Sequence, residues 1–263
     1  MAKTVVDLQS VTFSYPDPRE VLRELSLALA DGETLGLVGP IGAGKTTLFL
    51  LLAGLLRPHS GSVQVLGREA GDVALRGRVG VVFQRVEEQL FSTSVSDDVA
   101  FGPLNLGVPM EEVPERVRRA LHAVGLEGFE ERVPHHLSGG EKRKVALAAV
   151  LSMQPELYLL DEPSSDLDSR ARAELISLLK KLPESKIIAT HDFELLCEVA
   201  DRVVVLGDGS IRASGAPLEL LADVARMRSC GLEVPAGLRA LYQLKQGGVD
   251  LMGRERTNRG LSH

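Results

Sequence analysis

The spacing of apolar residues changes character along the chain. In the first thirty residues short apolar runs alternate with turn signals. Val5-Val6-Asp7-Leu8 and Val11-Thr12-Phe13 predict two strands, and Pro16-Asp17-Pro18 predicts a break. Leu25, Leu27 and Leu29 then alternate with polar or small residues, which predicts a half-buried strand ending at Asp31-Gly32. This part is expected to be antiparallel. From Thr34 the pattern changes. Short buried strands are expected at Thr34–Val38, Val79–Phe83, Leu157–Leu160, Ile187–Ala189 and Val203–Leu206. Helices are expected at Thr46–Leu56, Gly140–Met153, Ser169–Lys181 and Asp192–Val199. Strands alternating with helices predict an α/β core around a parallel sheet.

Residues 94–136 break that alternation. Val113, Val117, Leu121 and Val124 recur at helical spacing, with Gly125 as a C-cap, so a mostly helical insert is expected. Residues 84–107 carry Val86, Leu90, Phe91, Val95, Val99, Phe101, Leu104 and Leu106. Turns at Gly102, Pro103 and Gly107 should stop one helix from burying them all, leaving an exposed apolar patch. The last eighteen residues, Gln246–His263, have few apolar side chains and are expected to be largely disordered.

Composition narrows the classes. The 263 residues are 44% hydrophobic and 25% charged, as in an ordinary globular protein. The longest stretch without Asp, Glu, Lys or Arg is twelve residues, Val99–Met110, too short for a membrane-spanning helix. Asp7 interrupts the place where a secretion signal would be apolar. Cys197 and Cys230 are too few for a disulfide framework, which fits a reducing cytosol. Thirty basic against thirty-six acidic side chains give net −6, which argues against nucleic acid as a partner.

The chemistry begins at Gly39-Pro40-Ile41-Gly42-Ala43-Gly44-Lys45-Thr46, a match to G-x-x-x-x-G-K-[ST] between an expected strand and an expected helix. Chance alone would give about 0.008 such matches in a chain of this composition. Glycines let backbone N–H groups turn inward around phosphate oxygens, and the helix start adds positive potential. Lys45 would meet the β- and γ-phosphates, and the Thr46 hydroxyl would face Mg²⁺. Thr47 continues the helix start beside it.

Asp161 and Glu162 end the strand that begins at Leu157. In a phosphate-loop protein Asp161 would hold Mg²⁺, and Glu162 would polarise an attacking water. Successive strand side chains point opposite ways, so both reach the nucleotide only if the strand stops there. Leu137-Ser138-Gly139-Gly140-Glu141 opens another helix. It reads either as a second anion-binding helix start, and hence a site shared between subunits, or as an N-cap with an acidic first turn.

Together these motifs resemble the ABC ATPase family over about residues 3 to 220. The resemblance implies a P-loop α/β fold with an N-terminal antiparallel β subdomain and a helical subdomain inserted at about residues 94–153. It implies one ATPase domain, 1–220, followed by an extension, 221–263. Gln84 corresponds to the glutamine that contacts Mg²⁺ and the attacking water. Ser138, Gly139, Gly140 and Glu141 match the signature, and Asp161 and Glu162 match the metal aspartate and catalytic glutamate. Ser164–Asp168 matches the D-loop, and His191 matches the histidine near the γ-phosphate. Tyr15 lies where the family stacks an aromatic ring on adenine. Ile41 replaces a common Asn, and Glu141 replaces the usual Gln, adding negative charge that would slow hydrolysis.

Val82–Phe91 and Val95–Gly107 are similar to the energy-coupling-factor branch, which includes cobalt and nickel importer ATPases. Phe13-Ser14-Tyr15-Pro16 is similar too. That branch implies a peripheral subunit on the cytoplasmic face of the membrane, binding ATP and Mg²⁺. It pairs with a second ATPase, an integral membrane coupling subunit and a separate membrane subunit that binds the vitamin or metal ion. The alternatives are a conventional ABC importer ATPase, and a soluble ABC ATPase of DNA repair or translation. Repair relatives carry a long coiled coil and translation relatives usually carry two cassettes; this chain has neither feature.

Overall fold

The structure, a computed structural model, describes residues 3–16 and 20–246. In chain order the elements begin β1 (Thr4–Ser14), β2 (Glu20–Ala30), β3 (Thr34–Val38), α1 (Lys45–Leu52), β4 (Ser60–Val65) and β5 (Arg68–Glu69). Next come β6 (Val79–Val82), α2 (Val95–Asn105), α3 (Val113–Ala123), α4 (Gly139–Met153), β7 (Leu157–Asp161) and α5 (Ser169–Lys181). The rest is β8 (Ser185–Ala189), α6 (Phe193–Val199), β9 (Arg202–Gly207), β10 (Ser210–Gly215), α7 (Pro217–Leu221), α8 (Val224–Ser229) and α9 (Ala236–Gln246). The tail expected to be disordered lies outside the described residues from 247 onward.

Two sheets organise these elements. An antiparallel sheet has the order β2-β1-β4-β5. A six-stranded sheet has the order β10-β9-β3-β8-β7-β6, parallel except at its β10 edge. The expected parallel core and antiparallel N-terminal part are both present. Strands of the six-stranded sheet send alternate residues to opposite faces, so each builds two cores. Leu35, Leu37, Leu159, Ile187 and Val204 join the antiparallel sheet and α1 on one side. Tyr158, Leu160, Ile188, Val203 and Val205 join α4, α6 and α7 on the other. With both faces covered, these strands read as near-continuous apolar runs.

Three local expectations need correction. The two expected N-terminal strands are one strand, β1, with a register shift at Ser10, whose φ is 48°. Helix α1 stops at Leu52 although apolar spacing continues to Leu56. Gly54 turns left-handed (φ 71°) with the backbone of Gly71 against it, and that contact ends the helix. Gly102 and Pro103 do not make turns; both lie inside α2. Proline leaves the carbonyl four residues back without its helical donor. Here the Ser152 hydroxyl donates to the Val99 carbonyl at 2.8 Å and satisfies it. Gly102 lets α2 close on Met153 of α4, where a Cβ would lie 2.5 Å from Met153 Cγ.

Candidate functional site

The phosphate loop joins β3 to α1. Gly44 is the N-cap residue at φ 103°, and no side chain caps the helix. Its amides are therefore free of side-chain acceptors. A Cβ on Gly44 would lie 2.7 Å from Leu22 Cδ2, and one on Gly39 would strike the Leu206 carbonyl, so neither position tolerates a larger residue. Lys45 Nζ donates to the carbonyls of Gly39 (2.6 Å) and Pro40 (3.1 Å). Burial lowers the Lys45 pKa, opposed by the nearby charges of Glu162 and Asp161. Ile41 points into solvent and is 96% exposed.

Across from the loop, β7 ends at Asp161, which is buried. Thr46 Oγ1 donates to Asp161 Oδ2 at 2.8 Å. Burial raises the Asp161 pKa; the Thr46 hydrogen bond opposes the rise. Glu162 leaves the strand in a left-handed conformation (φ 51°), which turns its carboxylate to the same side as Asp161. That carboxylate accepts from Thr190 Oγ1 (2.9 Å) and from the His191 backbone N–H (3.1 Å). His191 Nε2 lies 3.7 Å from Glu162 Oε1.

One cleft brings together Tyr15, Ile41, Gly42, Ala43, Gly44, Lys45, Thr46, Thr47, Gln84, Asp161, Glu162 and His191. Gly39 and Pro40 sit behind it and serve through their carbonyls. The Tyr15 hydroxyl is 3.3 Å from Thr47 Oγ1, and its ring packs edge-on against Phe13, which stacks on His59. Ser138, Gly139, Gly140 and Glu141 are not in this cleft. They open into a separate cavity with Asp166 and Asp168. There Ser138 forms a capping box: its Oγ accepts from the Glu141 N–H (3.3 Å), and the Glu141 carboxylate accepts from the Ser138 N–H (2.8 Å). Within one chain the N-cap reading of these residues therefore holds.

Thr190 and Gln89 take part without any expectation from the sequence. Thr190 is fully buried, and its Oγ1 accepts from the Asp192 N–H at 3.0 Å. The single hydroxyl proton is thereby aimed at Glu162. Gln89 accepts from the Phe83 N–H (2.8 Å) and donates to the Val81 carbonyl (3.0 Å), extending the pairing of β6 just before Gln84. A threonine before a strand-end histidine is visible in sequence, but only the fold puts its hydroxyl against Glu162. Nothing in the sequence distinguishes Gln89.

The apolar residues after Gln84 divide. Val86, Leu90, Val95 and Val99 are core, so Leu90 is not part of an exposed patch. Phe91 and Phe101 are 61% and 49% exposed, with ring centroids 4.9 Å apart. Leu104, Leu106 and Met110 are exposed as well. The buried Asp98 carboxylate accepts from the N–H groups of Phe91 (3.2 Å) and Ser92 (3.0 Å), fixing the loop that presents Phe91.

The ABC transporter family model matches residues 22–165. The chain belongs to the ABC transporter family. The energy-coupling factor transporter ATP-binding protein EcfA of Methanothermobacter thermautotrophicus is 42% identical over 94% of this chain and 82% of its own. EcfA of Methanocaldococcus jannaschii is 45% identical over 88% of this chain and 86% of its own. The structure of cbiO1 from Clostridium perfringens, part of the ABC transporter complex cbiONQ, superposes with a TM-score of 0.76 at 33% identity, covering 91% of this chain and 99% of that one. A dimeric ATP-binding cassette in a post-hydrolysis state with ADP and Pi gives 0.74 at 27% identity, covering 81% and 98%. The chain is thus an ABC ATPase, an ATP-binding and ATP-hydrolysing transporter subunit. No helix among the described residues is long and apolar enough to cross a membrane.

Proposed function

We propose that this ABC ATPase powers an energy-coupling-factor importer for a vitamin or a transition-metal ion, acting as a peripheral subunit on the cytoplasmic face of the membrane. The observation that carries this reading is the exposed Phe91–Phe101 pair on the segment that leaves the nucleotide cleft at Gln84. With Leu104, Leu106 and Met110 also exposed nearby in the chain, the pair is the kind of apolar surface that partner sites use. The relatives named as energy-coupling factor ATPases support the same reading.

ATP would lie with its base on Tyr15 and its phosphates in the amides of residues 39–47. Thr46 and Asp161 offer hard oxygen donors in a buried site where the carboxylate is already strained by burial, a set that suits Mg²⁺. Thr46 and Asp161 would hold the ion, with Gln84 facing the same cleft, and the ion would neutralise phosphate charge. Glu162 takes the proton of the attacking water, while Lys45 and His191 stabilise charge on the γ-phosphate. In this reading the catalytic unit is residues 1–220 with a helical subdomain at about 94–153, and 221–263 is an extension. A second ATPase chain, a membrane coupling subunit and a separate substrate-binding membrane subunit complete the assembly.

The test exchanges Phe91 or Phe101 for Asp. Leu90 is unsuitable because it is core. Each variant should keep ATP affinity within about twofold, since neither ring lines the cleft. Each should also lose co-purification with the membrane complex in detergent. Normal assembly and transport in both variants would overturn the reading.

A further inference from the structure

Arg143, near the start of α4, is a buried cation: the residue is only 4% exposed. Its Nη2 donates to the backbone carbonyl of Gln84 at 3.0 Å and lies 3.5 Å from Asp166 Oδ2. Nε and Nη1 have no hydrogen-bond partner among the described residues. A guanidinium used this sparingly does little for stability. Burying a charge is expensive, and an apolar side chain of similar volume often serves the fold as well or better. Asp166 is 62% exposed at its side chain, so removing Arg143 would leave that carboxylate in contact with water. The residue type is explained by what it joins, rather than by packing.

It joins three segments. Gln84 faces the nucleotide cleft. Asp166 lies in the turn between Glu162 and α5, in a left-handed conformation (φ 62°) that a non-glycine residue adopts at a cost. Its backbone is pressed against the first turn of α4: a Cβ on Gly140 would come 2.9 Å from the Asp166 carbonyl oxygen. The start of α4 and the Asp166 turn therefore pack as one piece, and Arg143 extends that piece to Gln84.

We propose that Arg143 is a positioning residue for hydrolysis, tying the Gln84 backbone to the Asp166 turn so that the two move together. It touches neither nucleotide nor reacting atoms, and it acts through Gln84 and Asp166. The proposal rests on the reading of Gln84 as a nucleotide-side residue.

Four variants test it: Arg143→Met, Arg143→Lys, Asp166→Asn and Gln84→Ala. Arg143→Met should keep ATP affinity and KM within about twofold while kcat falls about tenfold, a split that marks loss of alignment rather than of binding. Its Tm should be unchanged or higher, which a structural role would not give. Arg143→Lys should recover part of kcat. Adding Asp166→Asn to Arg143→Met should cost nothing further, because the two act through one link. A normal kcat in Arg143→Met, a fall in affinity matching the fall in kcat, or additive effects of the pair would each overturn the proposal. If Arg143→Met does not fold, Asp166→Asn decides: it should show the same kcat-only loss, and normal kcat overturns the link. Gln84→Ala separates the two readings. Normal hydrolysis there would defeat the site assignment; slow hydrolysis there with normal Arg143→Met would defeat only the link.

Discussion

Lys45 and Glu162 share a cleft, and the proposed mechanism gives them different parts of the reaction. Lys45 sits on the loop carbonyls with its charge already disfavoured by burial, so phosphate oxygens are the partners that would repay it. Lys45→Ala should weaken ATP binding, measured by titration with a fluorescent nucleotide. Glu162→Gln keeps the shape and loses the base, so binding should persist while turnover drops about 10²–10⁴-fold. Normal hydrolysis by Glu162→Gln would remove Glu162 from its assigned role. Thr190 gives a finer test. Its hydroxyl donates to Glu162 from a fully buried site, and Val has nearly the same volume. Thr190→Val should lower kcat about tenfold, the worth of one hydrogen bond in the transition state, with little change in KM. Thr190→Ser should restore most of it. Equal kcat for Val, Ser and Thr would show that the hydroxyl does not position the carboxylate.

At the scale of elements, α4 turns on its first residues. The Ser138 N–H, first, and its hydroxyl hold the Glu141 carboxyl below its ordinary value of 4.5. A carboxylate depressed in the fold stabilises it above the unfolded pKa, and that contribution is lost as pH falls through the folded pKa. Glu141→Ala should therefore cost about 1 kcal/mol at neutral pH. The difference from the native chain should shrink in urea unfolding as pH drops below about 4.5. Glu141→Gln can keep a neutral capping box, so it should cost less and should raise turnover by removing charge from the signature. A pH-independent gap for Glu141→Ala would mean that the cap is not ionic.

The same scale shows what sequence pattern reveals. Buried strands β3, β7, β8 and β9 stand out because both faces are covered and their central residues are apolar. Strand β4 does not: only Val63 and Val65 of Ser60–Val65 face the core, too few to make a signal. The break expected at Pro103 fails because Ser152, 53 residues along the chain from Val99, satisfies the orphaned Val99 carbonyl. The phosphate loop and the Asp161–Glu162 pair are legible since their chemistry is local. Thr190, Gln89 and Arg143 are not, because each acts on a segment that only the fold brings near.

For the whole molecule, the arrangement of sites within one chain points beyond that chain. The phosphate loop and the Asp161 and Glu162 carboxylates line one cleft, and Ser138 to Glu141 line another with the Asp166 turn. A helix start with two glycines and a hydroxyl is suited to phosphate, yet it does not face this chain's own phosphate cleft. A two-fold dimer can close one copy's helix start over the other copy's loop, and a two-fold axis then makes two such sites. A structural relative of this fold is dimeric with ADP and Pi bound. The test mixes a Lys45→Ala chain with a Ser138→Arg chain, each expected to be inactive alone. In a mixed dimer one site carries both lesions and the other carries neither. Equal mixing with free exchange should therefore restore about a quarter of native activity if the sites act independently. The gain should grow as exchange proceeds and vanish when the chains are kept apart by cross-linking before mixing. Failure to complement under demonstrated exchange would place the whole site within one chain and leave Ser138 a helix cap alone.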